Sequence, residues 1–361
     1  MNNSLSRLLR LLRRRRLPDF KVHLKRARKN WRQRSWRSMD MISIVSQRPA
    51  VLLTGCHPRK LSFYLQRPLR DLDLTIFYRA GWSLEHEPTF LDRVAAIKAA
   101  QQKFPRHRYI FAANTPHEVE LLKAADIRAE FLNENAFIDE YSFQPDPTVA
   151  KEFDAVLDAQ IAAYKRLELA AEVRSLLALT YVMEERYNAD YGNMIRRTLS
   201  HAHWANGPYW EAGYRKLKRP EIAATYRKAR VGLCLSELEG ANLASIQYLL
   251  SGLAVVSTES RGGRDIFFAP EYARIVAAEP TAVASAVSEL VRDAPPPAVV
   301  RERTLEKIRS IRDRFGELLT AECGHAAVDE GWWKEFNARR PICYQDVSKI
   351  AKILAEANRR R

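Results

Sequence analysis

Ser236-Glu-Leu-Glu-Gly-Ala-Asn-Leu-Ala-Ser-Ile-Gln-Tyr-Leu-Leu-Ser-Gly-Leu-Ala-Val-Val-Ser-Thr258 decides the fold. It continues the apolar run Val231-Gly-Leu-Cys-Leu235, which reads as a buried strand ending at Ser236. A loop over Glu237–Ala241 follows, then a helix over Asn242–Ser251 stopped by Gly252, then a strand over Ala254–Thr258. Strand, short loop, helix and strand in this order make a parallel crossover unit. Its loop lies at the carboxyl end of a strand, where open α/β sheets bind ligands. Five of the 13 glycines (Gly232, Gly240, Gly252, Gly262 and Gly263) gather in this neighbourhood. Gly240 admits a ligand close to the backbone, and the helix start turns N–H groups and dipole toward it.

The alternation extends in both directions. Upstream, strands are expected at Ala50–Thr54, Leu72–Phe77, Arg108–Ala112 and Ala129–Leu132, with helices at Phe90–Lys103 and Pro116–Ala124. Gln144-Pro-Asp-Pro147 punctuates the chain, and the pattern restarts. Strands at Asp154–Ala159 and Ser175–Val182, a helix at Tyr164–Val173, a strand candidate at Ser200–Trp204 and a helix at Glu221–Ala229 lead into the central unit. Helices Thr281–Val291, Arg301–Leu319 and Val347–Asn358 finish it. The expected architecture is α/β, two Rossmann-like doubly wound domains facing a cleft. The divisions are a basic amphipathic arm over 1–45, a reduced N-terminal domain over 46–146, a C-terminal domain over 147–330 and a helical tail over 331–361.

Composition narrows the class. The 361 residues are 47% hydrophobic, which excludes a disordered chain, and no apolar stretch approaches the ~20 residues of a bilayer span. Neither G-x-G-x-x-G nor a P-loop is present. Four scattered cysteines without a C-x-x-C pair point to a reducing, cytoplasmic compartment, Cys234 being a small core residue. Residues 1–40 hold 14 Lys and Arg against two acids, hence +12 of the chain's net +16. Leu5, Leu8, Leu9 and Leu12 form one helical stripe bordered by arginines, with Phe20, Trp31 and Trp36 further on. This suits an anionic membrane surface, each basic group being worth ~1 kcal/mol there. A solvated tail and a nucleic-acid contact account for the charge too, but no sequence-specific reading element accompanies it.

The Ser236–Thr258 segment resembles the donor site of GT-B glycosyltransferases, in particular the large retaining family four. That family writes Ser-x-x-Glu-Gly-Phe-Gly, a helix with a second Glu eight residues after the first, then small-Gly-x-Pro-Val-Val. Glu239-Gly240 and Gly252-Leu-Ala-Val-Val256 take the first and last positions. Asn133-Glu-Asn-Ala-Phe-Ile-Asp-Glu-Tyr-Ser-Phe143 is similar to the family's interdomain segment, Ala159-Gln-Ile-Ala-Ala-Tyr-Lys165 to its Gly-Arg-x-x-x-x-Lys loop, and Pro220–Ala229 to its helix before the motif strand. The resemblance covers roughly 133–290. It implies metal-independent, retaining transfer from a nucleotide-diphospho-sugar; the basic arm adds an expected place at the inner face of the membrane, and that location implies a glycan or lipid-linked acceptor of the cell surface. No cofactor is implied; the nucleotide sugar is substrate.

It also implies roles. Lys165 and Glu239 are the catalytic pair, the lysine meeting the diphosphate and the glutamate the sugar hydroxyls. Gly240, Ala241, Asn242, Leu243, Gln247 and Gln160 line the donor; Gly262 and Gly263 are donor-side candidates by position, following the strand Ala254–Thr258 at a sheet end. Chemistry agrees: charge builds on a departing diphosphate, which calls for fixed cations and backbone N–H groups. Gln247 replaces the second Glu, and Gln160 replaces the Arg beside the diphosphate. A glutamate restored at 247 is expected to preserve or tighten donor binding; Arg196, Arg197 or Arg264 are candidates to make up the missing charge. Those departures keep open a degenerate, non-catalytic sugar or nucleotide-binding protein held at a membrane or polyanion by its arm.

Other candidates carry plainer alternatives. His57, after the first strand, is an acceptor-side candidate or a hydrogen-bonded loop histidine. Arg261-Gly-Gly-Arg264 offers free amides or a tight turn. Asp71-x-Asp73 begins a strand, where a solvated start outweighs a metal site, and His201-x-His203 lacks a third ligand. No metal is expected. Trp332-Trp333 is expected to pack the tail onto the body.

Overall fold

The computed structural model describes residues 41–65, 69–183, 187–324, 328–339, 341–343 and 346–359. The amphipathic reading of residues 1–40 lies outside the described residues. The described residues form two six-stranded sheets, in the orders β12-β1-β2-β3-β4-β5 and β11-β10-β9-β6-β7-β8.

The first sheet holds β1 (Met41–Gln47), β2 (Ala50–Thr54), β3 (Leu74–Tyr78), β4 (His107–Ala113), β5 (Ala129–Phe131) and β12 (Ile342–Cys343). Strands β2 to β5 run parallel, as their uninterrupted apolar runs imply, and β2 and β3 are buried at every residue. Helices α1 (Pro58–Leu65), α2 (Glu87–Lys103) and α3 (Pro116–Ala124) cover it. Thr115 caps α3 by accepting from the Glu118 N–H at 3.0 Å, with Pro116 in the first turn.

The second sheet is wholly parallel: β6 (Phe153–Gln160), β7 (Leu176–Tyr181), β8 (His203–Trp204), β9 (Ala229–Cys234), β10 (Ala254–Thr258) and β11 (Ala273–Val276). Its helices are α4 (Ala189–Thr198), α5 (Arg219–Arg227), α6 (Leu243–Leu250) and α7 (Pro280–Asp293). The chain then runs through α8 (Pro297–Cys323), α9 (Glu330–Ala338) and α10 (Val347–Arg359).

Three expectations need correction. The span assigned to the arm contains most of β1, which pairs antiparallel with both β2 and β12; its Met41-Ile-Ser-Ile-Val alternation is too short to stand out before Pro49. The tail is not purely helical: β12 adds an edge strand to the first sheet, and α10 buries Ile350 and Leu354 in that sheet's core. The helix expected over Tyr164–Val173 is two 3₁₀ turns, Ala163–Lys165 and Leu167–Ala170, broken by Arg166 at φ +50. Leu167, Leu169 and Ala170 are buried, so the apolar spacing reported burial and not helix.

The long helix α8 binds the two halves. Phe315 packs on Phe77 of β3 with ring centroids 5.0 Å apart, while Arg301 near its start donates to the Leu250 carbonyl of α6 at 2.7 Å. Arg312 is buried and holds Glu140 through both carboxylate oxygens, at 2.7 and 2.8 Å. It also donates to the Ala136 and Ile138 carbonyls and lies 4.7 Å over the Trp333 ring. Trp333 is thereby buried against Phe137 and Phe315, the tail-to-body packing expected of it.

Candidate functional site

Parallel strands deliver their carboxyl ends to one edge of each sheet, and here the two edges meet. The Ser83 N–H donates to the Glu239 carbonyl at 3.0 Å, and Trp82 lies edge-on to Tyr164 at 5.6 Å. Two buried asparagines of the linker stitch the loops together. Asn133 donates to the carbonyls of Asn114 and Gly263 at 2.9 and 2.8 Å, and Asn135 to that of Ala241 at 2.6 Å. Glu118 works similarly inside the first domain, accepting from the N–H groups of Leu84 and Asn114 at 2.8 Å each. Burial raises its pKa, and these two donors oppose the rise. Nothing in the sequence signalled that role.

Lys165 and Glu239 meet at this edge. The Nζ of Lys165 donates to Glu239 Oε1, with side chains 13% and 9% exposed, so the ion pair is mostly withdrawn from water. The residues expected to act together are therefore in contact.

The loop between β9 and α6 is rich in unspent donors. Among the described residues, the N–H groups of Gly240, Ala241, Asn242 and Leu243 donate to no protein acceptor, nor do those of Gly262 and Gly263. Asn242 takes φ +53 at the helix cap and accepts from the Ser245 N–H. Leu243 is 55% exposed. The glycines have a second reason to be there. A Cβ on Gly240 would stand 2.8 Å from the Gly81 carbonyl, on Gly262 2.1 Å from that of Glu239, and on Gly263 2.6 Å from that of Asn114. Protein backbone fills those positions; at Gly240 and Gly263 the close approach is between loops of the two domains, and at Gly262 it is between two loops of the second.

Gln160 ends β6 and is 1% exposed. Its Oε1 accepts from the Tyr164 hydroxyl at 3.1 Å, and its Nε2 has no partner among the described residues. A buried amide without an acceptor costs ~1–3 kcal/mol, which a ligand oxygen would recover. Gln247 is half-buried, with Oε1 3.2 Å from the Tyr226 hydroxyl.

Of the arginines considered for the missing charge, Arg196 and Arg197 lie exposed on α4. Arg264 is buried and committed to Ser236, Ser257 and Thr258. A recess of about 470 Å³ opens beside it, lined also by Glu237, Ser260 and Arg261. Arg166 was missed. Its left-handed backbone, costing ~1–2 kcal/mol, sends the guanidinium to the Leu235 carbonyl and Thr258 Oγ1, both at 2.7 Å.

His57 caps α1. Its Nδ1 accepts from the Arg59 N–H at 3.2 Å while Nε2 lies 2.7 Å from Asp92, an arrangement that fits the neutral ring with the proton on Nε2. Burial lowers its pKa, against the pull of Asp92. Both ring nitrogens are engaged, which corresponds to the loop-histidine alternative.

The metal candidates do not assemble among the described residues. Asp73 lies at the opposite, amino end of β3, exposed and paired with Arg106 at 2.8 and 3.0 Å, which lowers its pKa. His201 bonds the Val173 carbonyl and His203 stacks on Phe153, so they share no strand face. Cys56 and Cys234 are buried free thiols, and burial pushes Cys234 up to about 12. Among the described residues no helix is long and apolar enough to cross a membrane.

No protein-family model matches the chain, and no curated protein matches its sequence. Solved structures do match. Anabaena HepE in complex with UDP is 13% identical over 75% of this chain and 78% of its own, with a TM-score of 0.53. AviGT4, a glycosyltransferase involved in avilamycin A biosynthesis, is 15% identical over 76% and 80%, with a TM-score of 0.51. The pneumococcal O-GlcNAc transferase GtfA, in complex with UDP and GlcNAc, is 13% identical over 72% of this chain and 54% of its own, at 0.51. At such identities the likeness speaks for the fold alone. That fold is the GT-B architecture, two Rossmann-like domains edge to edge.

Proposed function

We propose that the chain is a glycosyltransferase that moves a sugar from a nucleotide-diphospho-sugar to a hydroxyl of a glycan or lipid-linked acceptor, with retention and without a metal in the transfer step. The observation that carries this reading is the concentration of unspent donors around one buried ion pair. Among the described residues, the N–H groups of Gly240–Leu243, those of Gly262 and Gly263, and Gln160 Nε2 lack acceptors beside Lys165 and Glu239. A diphosphate supplies the acceptors such a cradle wants. That HepE and GtfA were solved with UDP agrees with this choice.

Phosphate oxygen drawn to Lys165 would loosen its hold on Glu239, freeing that carboxylate for sugar hydroxyls. In the reaction the bond between the anomeric carbon and the β-phosphate oxygen breaks, and the bond between the acceptor oxygen and the anomeric carbon forms. The acceptor proton passes to an oxygen of the leaving diphosphate. Lys165 and the free amides hold the negative charge as it grows. Residues 1–40, with their +12 charge, are proposed to hold the enzyme reversibly at an anionic membrane surface on the cytoplasmic side.

Calorimetric titration with UDP, ADP, GDP and their hexose conjugates, followed by assay of sugar release and transfer, tests the reading. Micromolar binding with turnover is expected. Binding without turnover under every acceptor tried selects the degenerate binding protein, which Gln160 and Gln247 favour. Failure to bind any nucleotide ends both.

A further inference from the structure

Tyr226 of α5 stands between Asp158 and Gln247, its hydroxyl 2.5 Å from Asp158 Oδ2 and 3.2 Å from Gln247 Oε1. A phenol has one proton, and the shorter contact to the charged group claims it. The Gln247 amide then meets the Tyr226 oxygen with its NH₂ group, since amide orientation is set by its partners. Its carbonyl is left for another donor. Asp158 is held from a second side, its N–H donating to the Tyr248 hydroxyl of α6 at 2.6 Å. Both tyrosines are fully buried, whereas Asp158 is partly accessible and its Oδ1 has no hydrogen bond among the described residues. Asp158 shares a face of β6 with Gln160, whose Nε2 lacks an acceptor.

A glutamate at 247 would fit poorly in this arrangement. It could only accept, opposite an oxygen whose proton is already given away, with a second carboxylate just beyond. We propose that Asp158 supplies the carboxylate that receives a vicinal diol of the donor, jointly with the Gln247 carbonyl, and that residue 247 is an amide because the charge stands on β6. The proposal rests on the glycosyltransferase reading and names a specificity-determining residue within it. A diol donates two hydrogen bonds, matching these two acceptors; it belongs either to the ribose or to the transferred sugar.

Titration of UDP, ADP and GDP, their 2′-deoxy counterparts and their hexose conjugates, the tightest series carried forward, tests it. Asp158→Asn is expected to weaken binding by about tenfold, a charged acceptor being exchanged for a neutral one. Gln247→Glu weakens it as well. The double variant returns to within about threefold of wild type, because the Tyr226 proton then turns toward Glu and the Asn amide faces the phenol oxygen. Wild-type preference for ribose over 2′-deoxyribose, lost in Asp158→Asn, puts the diol on the ribose. Preference for the hexose conjugate, lost in the same variant, puts it on the sugar. Either supports the proposal, and the preference is measured on wild type without reliance on a variant's folding. Tighter binding by Gln247→Glu, unchanged binding by Asp158→Asn, or a double variant no better than the weaker single overturns it and leaves the glycosyltransferase reading intact. A wild type that binds no nucleotide ends both.

Discussion

Lys165 and Glu239 are 74 residues apart in sequence and joined by a buried ion pair at the mouths of two neighbouring strands. Neither charge is well supported without the other, so each single substitution acts twice. Lys165→Ala and Glu239→Ala are each expected to lower transfer by a factor of about 10² or more, the scale of losing one charge-stabilising group. Each also costs about 2 kcal/mol of stability, between the values for exposed and fully buried pairs. The double variant recovers part of the stability and none of the activity. Wild-type turnover in either single variant, with a defined donor, removes the pair from the mechanism.

Gly263 holds φ +84 with the Asn114 carbonyl 2.6 Å from where a Cβ would lie. Gly263→Ala should therefore cost about 1–3 kcal/mol in urea denaturation. Gly213 has negative φ and nothing within 4 Å of the same position, so Gly213→Ala serves as the control and should be near neutral. Equal stabilities of the two variants would show that the loop contact between domains is dispensable.

The central crossover was legible because its signals agree: an apolar run, a short loop with Gly240, a glycine stop at Gly252 and a second apolar run, with β10 recovered residue for residue. Lys165 and Glu239 were readable from their places at adjacent strand ends. What escaped was set by contacts distant in sequence. Asp158 looked like one polar residue in an alternating strand, and its partners Tyr226 and Tyr248 lie on other elements. The expected benefit of glutamate at 247 was argued without that neighbour, and the role proposed for Asp158 predicts the reverse. Arg166 was hidden because its left-handed backbone breaks the helix that the leucine spacing suggested.

Arg312 is a structural hub of the linker, holding three acceptor residues there and covering Trp333. Arg312→Ala strands Glu140 as a buried charge and should cost about 3–5 kcal/mol. Arg312→Ala combined with Glu140→Ala should cost less than the arginine change alone, by a coupling that a double-mutant cycle in urea will read. Additive costs would mean the pair contributes nothing jointly.

Asp158 carries a pH signature set by its burial. Burial pushes its pKa up to about 6, against the donation from Tyr226 and the charge of Lys165. The unfolded chain releases this proton near 4, so between those values the native state binds more protons than the unfolded one. Stability conferred through this group is therefore lost as pH rises from about 4 to 6, and above that Asp158 costs up to ~3 kcal/mol. Asp158→Asn removes the ionisation while keeping an acceptor for Tyr226. The variant should be more stable than wild type by roughly 2 kcal/mol at pH 7.5, the gap closing toward pH 4.5. Lys165, Tyr226, Tyr248, Cys234 and Glu239, the other titratable groups around it, are common to both proteins and cancel in the difference. A gap that does not change with pH would mean that Asp158 does not titrate in this range. A gap that closes as described identifies a carboxylate kept at a cost in stability, as expected of a group whose use is to meet a ligand.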